Sequence, residues 1–147
     1  MYIMTQRQEV RFNVHNRTAY IISNGVNMPY DVIDFNEGGG TYDTTTHQYT
    51  FSVAGTYVIG ESHMKGLLNP AGGIDIILIR NGQTIVLNRA QSAEQGYDAR
   101  TLKSCLIYKF EQNDVLFCVS LTSPKMNNFA YTTNDIYNSF WGIRLDY

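Results

Sequence analysis

Four adjacent residues, Gly60-Glu61-Ser62-His63, begin like the nucleophile elbow of a serine hydrolase. That elbow has the pattern G-x-S-x-G on a sharp turn from a strand into a helix, and it needs a second glycine two residues after the serine. Position 64 is Met64, and no helical pattern follows it. We therefore interpret these residues as polar members of one strand and assign no catalytic role to them.

The chain has two cysteines, Cys105 and Cys118, and three histidines, His15, His47 and His63. A thiol beside an imidazole can act as a nucleophile. Both cysteines lie in apolar stretches typical of strands, away from any helix N-terminus that would lower a thiol pKa. We interpret them as small core or interface residues with free thiols, and we expect no enzymatic activity.

Acidic residues on either side of the glycine-rich loop Gly38–Gly40 form the candidate cation site: Asp31, Asp34, Glu37 and Asp43. Calcium takes oxygen ligands of this kind, but the D-x-D-x-D-G series is absent. Calcium therefore remains an alternative to ordinary loop carboxylates. Closely spaced Cys/His pairs for zinc, a phosphate loop and a dinucleotide fingerprint are also absent, so the sequence predicts no cofactor.

Hydrophobic and polar residues alternate along most of the chain, as they do in half-buried strands. Val10, Phe12 and Val14 show the pattern near the start. Asn81-Gly82, between two apolar runs, predicts a two-residue hairpin because both residues tolerate positive φ. About eight to ten short strands with regular turn signals indicate an all-β antiparallel sandwich or barrel.

Composition and charge exclude several classes of protein. The 147 residues are 44% hydrophobic, enough for one domain with its own core. The net charge is −2 and the eleven basic residues are scattered, so we expect neither nucleic acid nor a membrane surface as a partner. Met1–Val10 lacks the apolar region of a signal peptide. We expect a chain used in the cytosol, assembled into a particle there, or cut from a precursor.

Four motifs, in order, resemble the globular head of the complement C1q-like family. Tyr49–Tyr57 is similar to the family's F-T-x-x-x-x-G-x-Y segment, and Asn81-Gly82 stands where the family often has Asn-Gly. Tyr108–Cys118 looks like L-x-L-x-x-G-D-x-V-x-L, with Asn113 in place of the glycine, a residue that also adopts left-handed backbone. Ser139–Leu145 is similar to the closing F-S-G-F-L-L strand.

This resemblance implies a ten-stranded antiparallel jelly-roll β-sandwich of the C1q and tumour necrosis factor type, assembling as a compact homotrimer. The domain would span residues 10–147, and residues 1–9 would form an N-terminal arm or anchor. We expect five residues in the core: Tyr57, Ile59, Trp141, Ile143 and Leu145. The residues expected to face the threefold axis are Val58, Gly60, Cys105, Ile107, Phe140, Gly142 and Arg144.

Tyrosines and asparagines in two polar stretches are the candidate ligand-facing residues: Tyr97 before Arg100, and Tyr131, Asn134 and Tyr137 before Asn138. Tyr and Asn suit recognition because they combine rigid amphipathic surface with adaptable hydrogen bonds. The alternative is that they serve turn geometry in solvated loops.

Three functions follow from these expectations. The first is a non-enzymatic trivalent module on a virion or phage surface, as capsid decoration or fibre head, made in the cytoplasm and held to another particle protein by the arm. The second is a secreted, extracellular recognition protein for a receptor or glycan, with Asn16 glycosylated. The third is an enzyme on a β-sandwich, which would need a pocket with convergent titratable groups.

Overall fold

The structure is a computed structural model that describes residues 9–16, 20–22, 25–64, 72–92, 101–122, 127–129 and 138–146. Within these ranges the chain forms thirteen strands and no helix. The strands are β1 Arg11–Asn16, β2 Tyr20–Ile22, β3 Val26–Asn27, β4 Val32–Glu37, β5 Thr41–Asp43, β6 Gln48–Thr50, β7 Gly55–Met64, β8 Gly72–Arg80, β9 Gln83–Ser92, β10 Thr101–Phe110, β11 Val115–Thr122, β12 Asn127–Phe129 and β13 Asn138–Arg144. Nothing among the described residues is helical, long and apolar enough to cross a membrane.

Two antiparallel sheets build the sandwich. The front sheet has the strand order β10-β7-β13-β1-β4, and the back sheet has the order β5-β6-β11-β8-β9, with β3 also paired to β11. Strands distant in sequence lie side by side, as in a jelly roll, and this confirms the predicted architecture. The described residues hold more strands than the expected ten because short segments such as β2, β3 and β12 form separate ladders.

Aromatic side chains from both sheets fill the space between them. Phe12 of β1 stacks on Tyr49 of β6 with ring centroids 3.8 Å apart, and Phe51 stacks on Phe110 at 4.0 Å. Each of these rings is at most 1% exposed. Stacked and edge-to-face pairs of this kind add to the free energy gained by burying the rings.

The predicted alternation is confirmed in β7, where Tyr57 and Ile59 are fully buried in the core. Val58, between them, points to the opposite side of the front sheet because successive side chains of a strand face opposite ways. Cross-strand register extends this face to β10, where Cys105 is paired with Gly60 and Ile107 with Val58. We call this solvent side of the front sheet the outer face.

The predicted parity is wrong in β13. Gly142 is paired with Ile59, and Phe140 is fully buried, so both residues face the core instead of a threefold axis. Trp141 and Ile143, expected in the core, lie on the outer face opposite Gly60 and Val58. A one-residue slip exchanges the two faces of a strand, and β13 has large apolar residues on both, so hydrophobicity alone could not decide.

The end of β13 departs from expectation as well. Arg144 is paired with Tyr57, on the inner-facing side at the end of the sheet, and its guanidinium lies 3.3 Å from the Asp146 carboxylate. Leu145, expected in the core, follows the strand and is 43% exposed. Arg144 therefore does not belong to the outer face by register.

The turns follow the sequence closely. Asn81 and Gly82 connect β8 to β9 with φ values of 47° and 82°, and Asn113 has φ 69° where the family has glycine. Next to Asn113, the Asp114 carboxylate accepts hydrogen bonds from Arg80 and Asn81, each at 2.7 Å. Burial raises the pKa of Asp114, but hydrogen bonds from the Glu111 amide and from these two side chains outweigh it and hold the pKa below its ordinary value.

Candidate functional site

The outer face of the front sheet carries a set of solvent-accessible apolar side chains. Ile107 is 67% exposed and Phe35 is 37% exposed, and Val58, Trp141 and Ile143 are half-buried between them. Exposed apolar side chains gathered on one face of a domain favour an interaction site there. Together these five residues form what we call the apolar patch.

The indole of Trp141 crosses from β13 over the backbone of Gly60 in β7. A Cβ built at Gly60 would overlap the six-membered ring of the indole, so glycine is the residue that permits this position. Cys105, an exposed free thiol, is the other cross-strand neighbour of Gly60. The indole therefore covers the middle of the outer face, above Gly60.

Two clefts flank the indole of Trp141, one on each side. One cleft of about 340 Å³ is bounded by Arg11, Phe35 and Ile143 together with Trp141. The Arg11 guanidinium there lies over the Phe35 ring, 5.2 Å from its centroid, and pairs with Glu37 at 2.6 Å. The second cleft, of about 430 Å³, is bounded by Ser62, Lys103 and Cys105 together with Trp141.

A chain of hydrogen-bonded polar side chains lies behind the second cleft, on the core side of the front sheet. The Ser104 hydroxyl donates to Glu61 Oε1 at 2.5 Å, and Glu61 Oε2 accepts from His63 Nδ1 at 2.5 Å. The other ring nitrogen of His63, Nε2, is hydrogen-bonded to the Tyr30 hydroxyl. Tyr30 and His63 are fully buried and Glu61 is 2% exposed.

The Cys118 thiol lies near this polar chain but does not resemble a nucleophile. Burial raises its pKa well above the ordinary value, and the charge of Glu61 raises it further, against a hydrogen bond with Tyr30 that lowers it. A thiol in such surroundings stays protonated and inert. The prediction of a core cysteine is confirmed for Cys118, while Cys105 is exposed on the outer face.

The predicted strand over Gly60–His63 is confirmed, since these residues lie within β7. Sequence reasoning missed that two of them join Tyr30 and Ser104 in one network. Tyr30 and Ser104 are 33 and 43 residues away from their partners in sequence, so no local spacing indicates the contact. Only the strand register of β7 with β10 places Ser104 opposite Glu61.

Three of the four carboxylates of the candidate calcium site each bond to a different partner. Asp34 Oδ2 accepts from His15 Nδ1 at 2.6 Å, Glu37 pairs with Arg11, and Asp43 accepts from the Thr45 amide at 2.7 Å. Hydrogen bonds from the Thr45 and Thr46 amides hold the pKa of Asp43 below its ordinary value. In the described part of the chain, no three His, Cys, Asp or Glu residues converge as metal ligands.

The remaining predicted residues have the following places. Val58, Gly60, Cys105 and Ile107 lie on one face of the front sheet. That this face meets a threefold axis stays a prediction. The candidate ligand-facing residues Tyr97, Tyr131, Asn134 and Tyr137, and residues 1–8 of the arm, lie outside the described residues.

Comparison with known proteins defines the class of fold. No family model matches the sequence, and no curated protein matches it at a significant level. Solved structures do match in shape. Eiger TNF from S. frugiperda superposes with a TM-score of 0.78 at 12% identity, over 95% of this chain and 94% of that one. The globular domain of zebrafish complement 1qA gives a TM-score of 0.67 at 8% identity, over 94% and 98% of the two chains. Murine APRIL gives 0.67 at 10% identity, over 93% and 99%.

The chain therefore has a TNF/C1q-like jelly-roll fold, as its four motifs predicted. Identities of this size establish the fold alone. What the protein does has to be argued from its own surfaces.

Proposed function

We propose that this protein is a non-enzymatic, homotrimeric binding module whose subunits meet through the outer face of the front sheet. The observation that carries the proposal is the apolar patch, above all Ile107, which is 67% exposed in the single chain. Burying a side chain of this kind contributes about 1.5–3 kcal/mol. Four of the seven residues that the family resemblance placed at the axis lie on this face: Val58, Gly60, Cys105 and Ile107.

A closed threefold arrangement suits this surface. Most homo-oligomers have closed point-group symmetry, and closure leaves no apolar patch open for further association. The edges of the front sheet are β10 and β4, and Ile107 and Phe35 stand on them, at opposite ends of the patch. An edge of one subunit can therefore pack against the middle of the next subunit's outer face around the axis.

The polar groups support a binding role more than a catalytic one. Glu61 and His63, a hydrogen-bonded acid–base pair, are buried in the core and hydrogen-bonded to Ser104 and Tyr30. A general base must reach a substrate within hydrogen-bond distance. His63 is fully buried, so it cannot take that role without opening the sandwich.

The setting we propose is the surface of a virus or phage particle, with the arm Met1–Glu9 attaching the trimer to another particle protein. Three identical ligand sites on one rigid head convert a weak contact into strong attachment, and display in many copies multiplies the effect. Deleting residues 1–9 should leave the trimer intact and abolish its incorporation into particles. The alternative, an extracellular recognition protein, requires export of a precursor and a glycan on Asn16.

The test of assembly is the solution mass by light scattering after gel filtration, over a wide dilution. A trimer has a mass of about 50 kDa, three times the chain mass of 16.7 kDa. Ile107→Glu should abolish it, because three buried side chains are lost per trimer and the dissociation equilibrium shifts at least about a thousandfold. The subunit itself should stay folded, since an exposed substitution changes stability by only about 0.5 kcal/mol.

The matched control is Ile33→Glu. Ile33 is also exposed, at 42%, but it is paired with the buried Val14 and does not belong to the outer face. The proposal expects a trimer for this variant and a monomer for Ile107→Glu. A monomeric wild-type chain, or an intact Ile107→Glu trimer, would refute it.

A further inference from the structure

The two edges of the front sheet carry opposite charges on the outer face. The outward side chains of β10 that the structure describes are all exposed: Lys103, Cys105, Ile107 and Lys109. At the other edge, the Glu37 carboxylate of β4 lies opposite Arg11, which also pairs with Glu9. The Asp34 carboxylate, hydrogen-bonded to His15, adds a further negative charge there. The outer face is therefore basic along β10 and acidic beside β4.

We propose that β10 of one subunit packs against β13, β1 and β4 of the next, with Ile107 in the cleft beside Phe35 and Lys109 paired with Glu37. This inference rests on the proposed homotrimer and names the contact that closes it. The partner is a second copy of this chain, because every copy carries both the basic edge and the acidic edge. A head-to-tail contact between two different surfaces closes into a ring when the rotation allows it.

The direction of the threefold axis follows from the position of the two edges. Because β10 of each subunit meets the β4 side of the next, the rotation runs across the strands, and the axis runs roughly along them. A rotation leaves every atom at its own height along the axis. Residues that share a cross-strand row on the outer face therefore meet residues of the same row in the neighbouring subunit.

The strand registers define the row that contains Ile107. From edge to edge, its outward members are Ile107, Val58, Ile143, Arg11 and Glu37. Ile107 of one subunit therefore arrives at the height of Ile143 and Arg11 of the next. These two residues bound the cleft of about 340 Å³, so the most exposed apolar side chain of one edge meets an apolar recess at the other.

The lysines of β10 reach carboxylates at matching heights. Lys109 is two residues away from the row that ends at Glu37, about 7 Å along the strand, a distance that the two long side chains can span. Lys103 belongs to the row that crosses β7 and β13 and reaches His15 in β1. The carboxylate bonded to His15 is that of Asp34. Both lysines thus face acidic groups of the next subunit in one arrangement.

The central pair has weak ties within its own chain. The Lys109 ammonium lies 3.9 Å from the Glu111 carboxylate, and both side chains are mostly exposed. Glu37 pairs with Arg11, and these side chains are also largely exposed. Surface ion pairs of this kind contribute little to stability. A contact between subunits removes water from the same charges, which strengthens their attraction and selects the correct partner edge.

Charge reversal tests the pairing, with the monomer–trimer equilibrium measured by light scattering over a dilution series. Lys109→Glu should shift this equilibrium about ten- to a hundredfold toward the monomer, because one surface pair changes an equilibrium about two- to fivefold and a trimer has three contacts. Glu37→Lys should have a similar effect. Both shifts should be larger at about 20 mM salt than at about 0.5 M salt, where the charges are screened.

Two double variants identify the partner of Lys109. Lys109→Glu combined with Glu37→Lys restores the pair between subunits and should restore the wild-type equilibrium. The matched control combines Lys109→Glu with Glu111→Lys, which restores a pair only within the chain. This control should stay as dissociated as Lys109→Glu alone. Both double variants keep the net charge of the wild type, so a general charge effect does not separate them.

A second pair of variants tests the cleft. Phe35→Ala removes part of its lining and should shift the equilibrium at least about tenfold toward the monomer. The matched control is Ile33→Ala, because Ile33 lies on the same strand with similar exposure but is paired with the buried Val14. That variant should assemble like the wild type.

Each outcome decides the proposal. Rescue by Glu37→Lys and not by Glu111→Lys supports it. An unchanged equilibrium for Lys109→Glu, rescue by both second substitutions or by neither, or equal effects of Phe35→Ala and Ile33→Ala would overturn this contact and leave the trimer in place. A monomeric wild-type chain would refute the homotrimer itself and this contact with it.

Discussion

Gly142→Ala tests whether β13 faces the core as the structure has it. The added Cβ would stand 2.6 Å from Ile59 Cδ1 and closer still to the Phe12 ring. Phe12 cannot retreat, because its other side stacks on Tyr49 at 3.8 Å. Overpacking of a well-filled core costs about 1–3 kcal/mol of the free energy of unfolding. We expect the thermal transition to fall by about 2–4 °C for each of these kcal/mol.

Gly60→Ala is the matched comparison, since it adds the same methyl group to the neighbouring strand on the opposite face. Both glycine variants are melted in the monomeric Ile107→Glu background, because the transition of an oligomer also reports its assembly. There the Cβ of Gly60→Ala meets the half-buried indole of Trp141, which can swing into solvent. We expect a loss of no more than about 0.5 kcal/mol and a red shift of the Trp141 emission.

The two glycines give opposite results under the two parities of β13. If Gly142 faced a threefold axis, Gly142→Ala would lower the solution mass of the otherwise wild-type protein. In the monomeric background the same substitution would leave the thermal transition almost unchanged. Equal thermal losses for the two variants, or a larger loss for Gly60→Ala, would refute the packing described for β13.

Two further predictions concern single side chains. Because the pKa of Asp114 is lowered in the folded state, its contribution to stability is present above the unfolded pKa of about 3.9 and is lost as pH falls below it. In urea unfolding, Asp114→Asn should cost about 1–3 kcal/mol at pH 7, and acidification to about pH 3 should cost the variant less than the wild type. A penalty independent of pH would contradict this. In the monomeric Ile107→Glu variant, a thiol reagent should modify exposed Cys105 at once and buried Cys118 only in denaturant; rapid modification of both would show that the core is open.

The fold was predictable because its information is local and repeated. Alternation predicted a strand at β7, and the family resemblance placed Tyr57 and Ile59 on its core side. Asn81-Gly82 marked the hairpin at the position where both residues have positive φ. Periodicity and turn chemistry therefore sufficed for the sandwich, whereas telling the two faces of β7 apart needed the resemblance.

The parity of β13 and the buried network were not predictable in this way. Phe140 and Trp141 are adjacent aromatics, so the pattern of β13 fits either face, and only packing of Gly142 against Phe12 and Ile59 decides. Glu61 and His63 look like surface residues by type. Their burial depends on Tyr30, which is distant in sequence and contributes through the tertiary fold alone.

Polarity in the middle of the front sheet changes along the strands as well as across them. In the first half of β7, Tyr57 faces the core and Val58 faces outward, and both sides are apolar. In the second half, Glu61 faces inward and Ser62 outward, and both sides are polar. The change occurs at Gly60, where the indole of β13 crosses. β10 follows the same division, with Leu106 and Ile107 beside the first half and Lys103 and Ser104 beside the second. The apolar half of the outer face suits subunit packing, whereas the polar half has the hydrogen-bonded Glu61, His63 and Ser104 side chains behind it, on the core side of the same sheet.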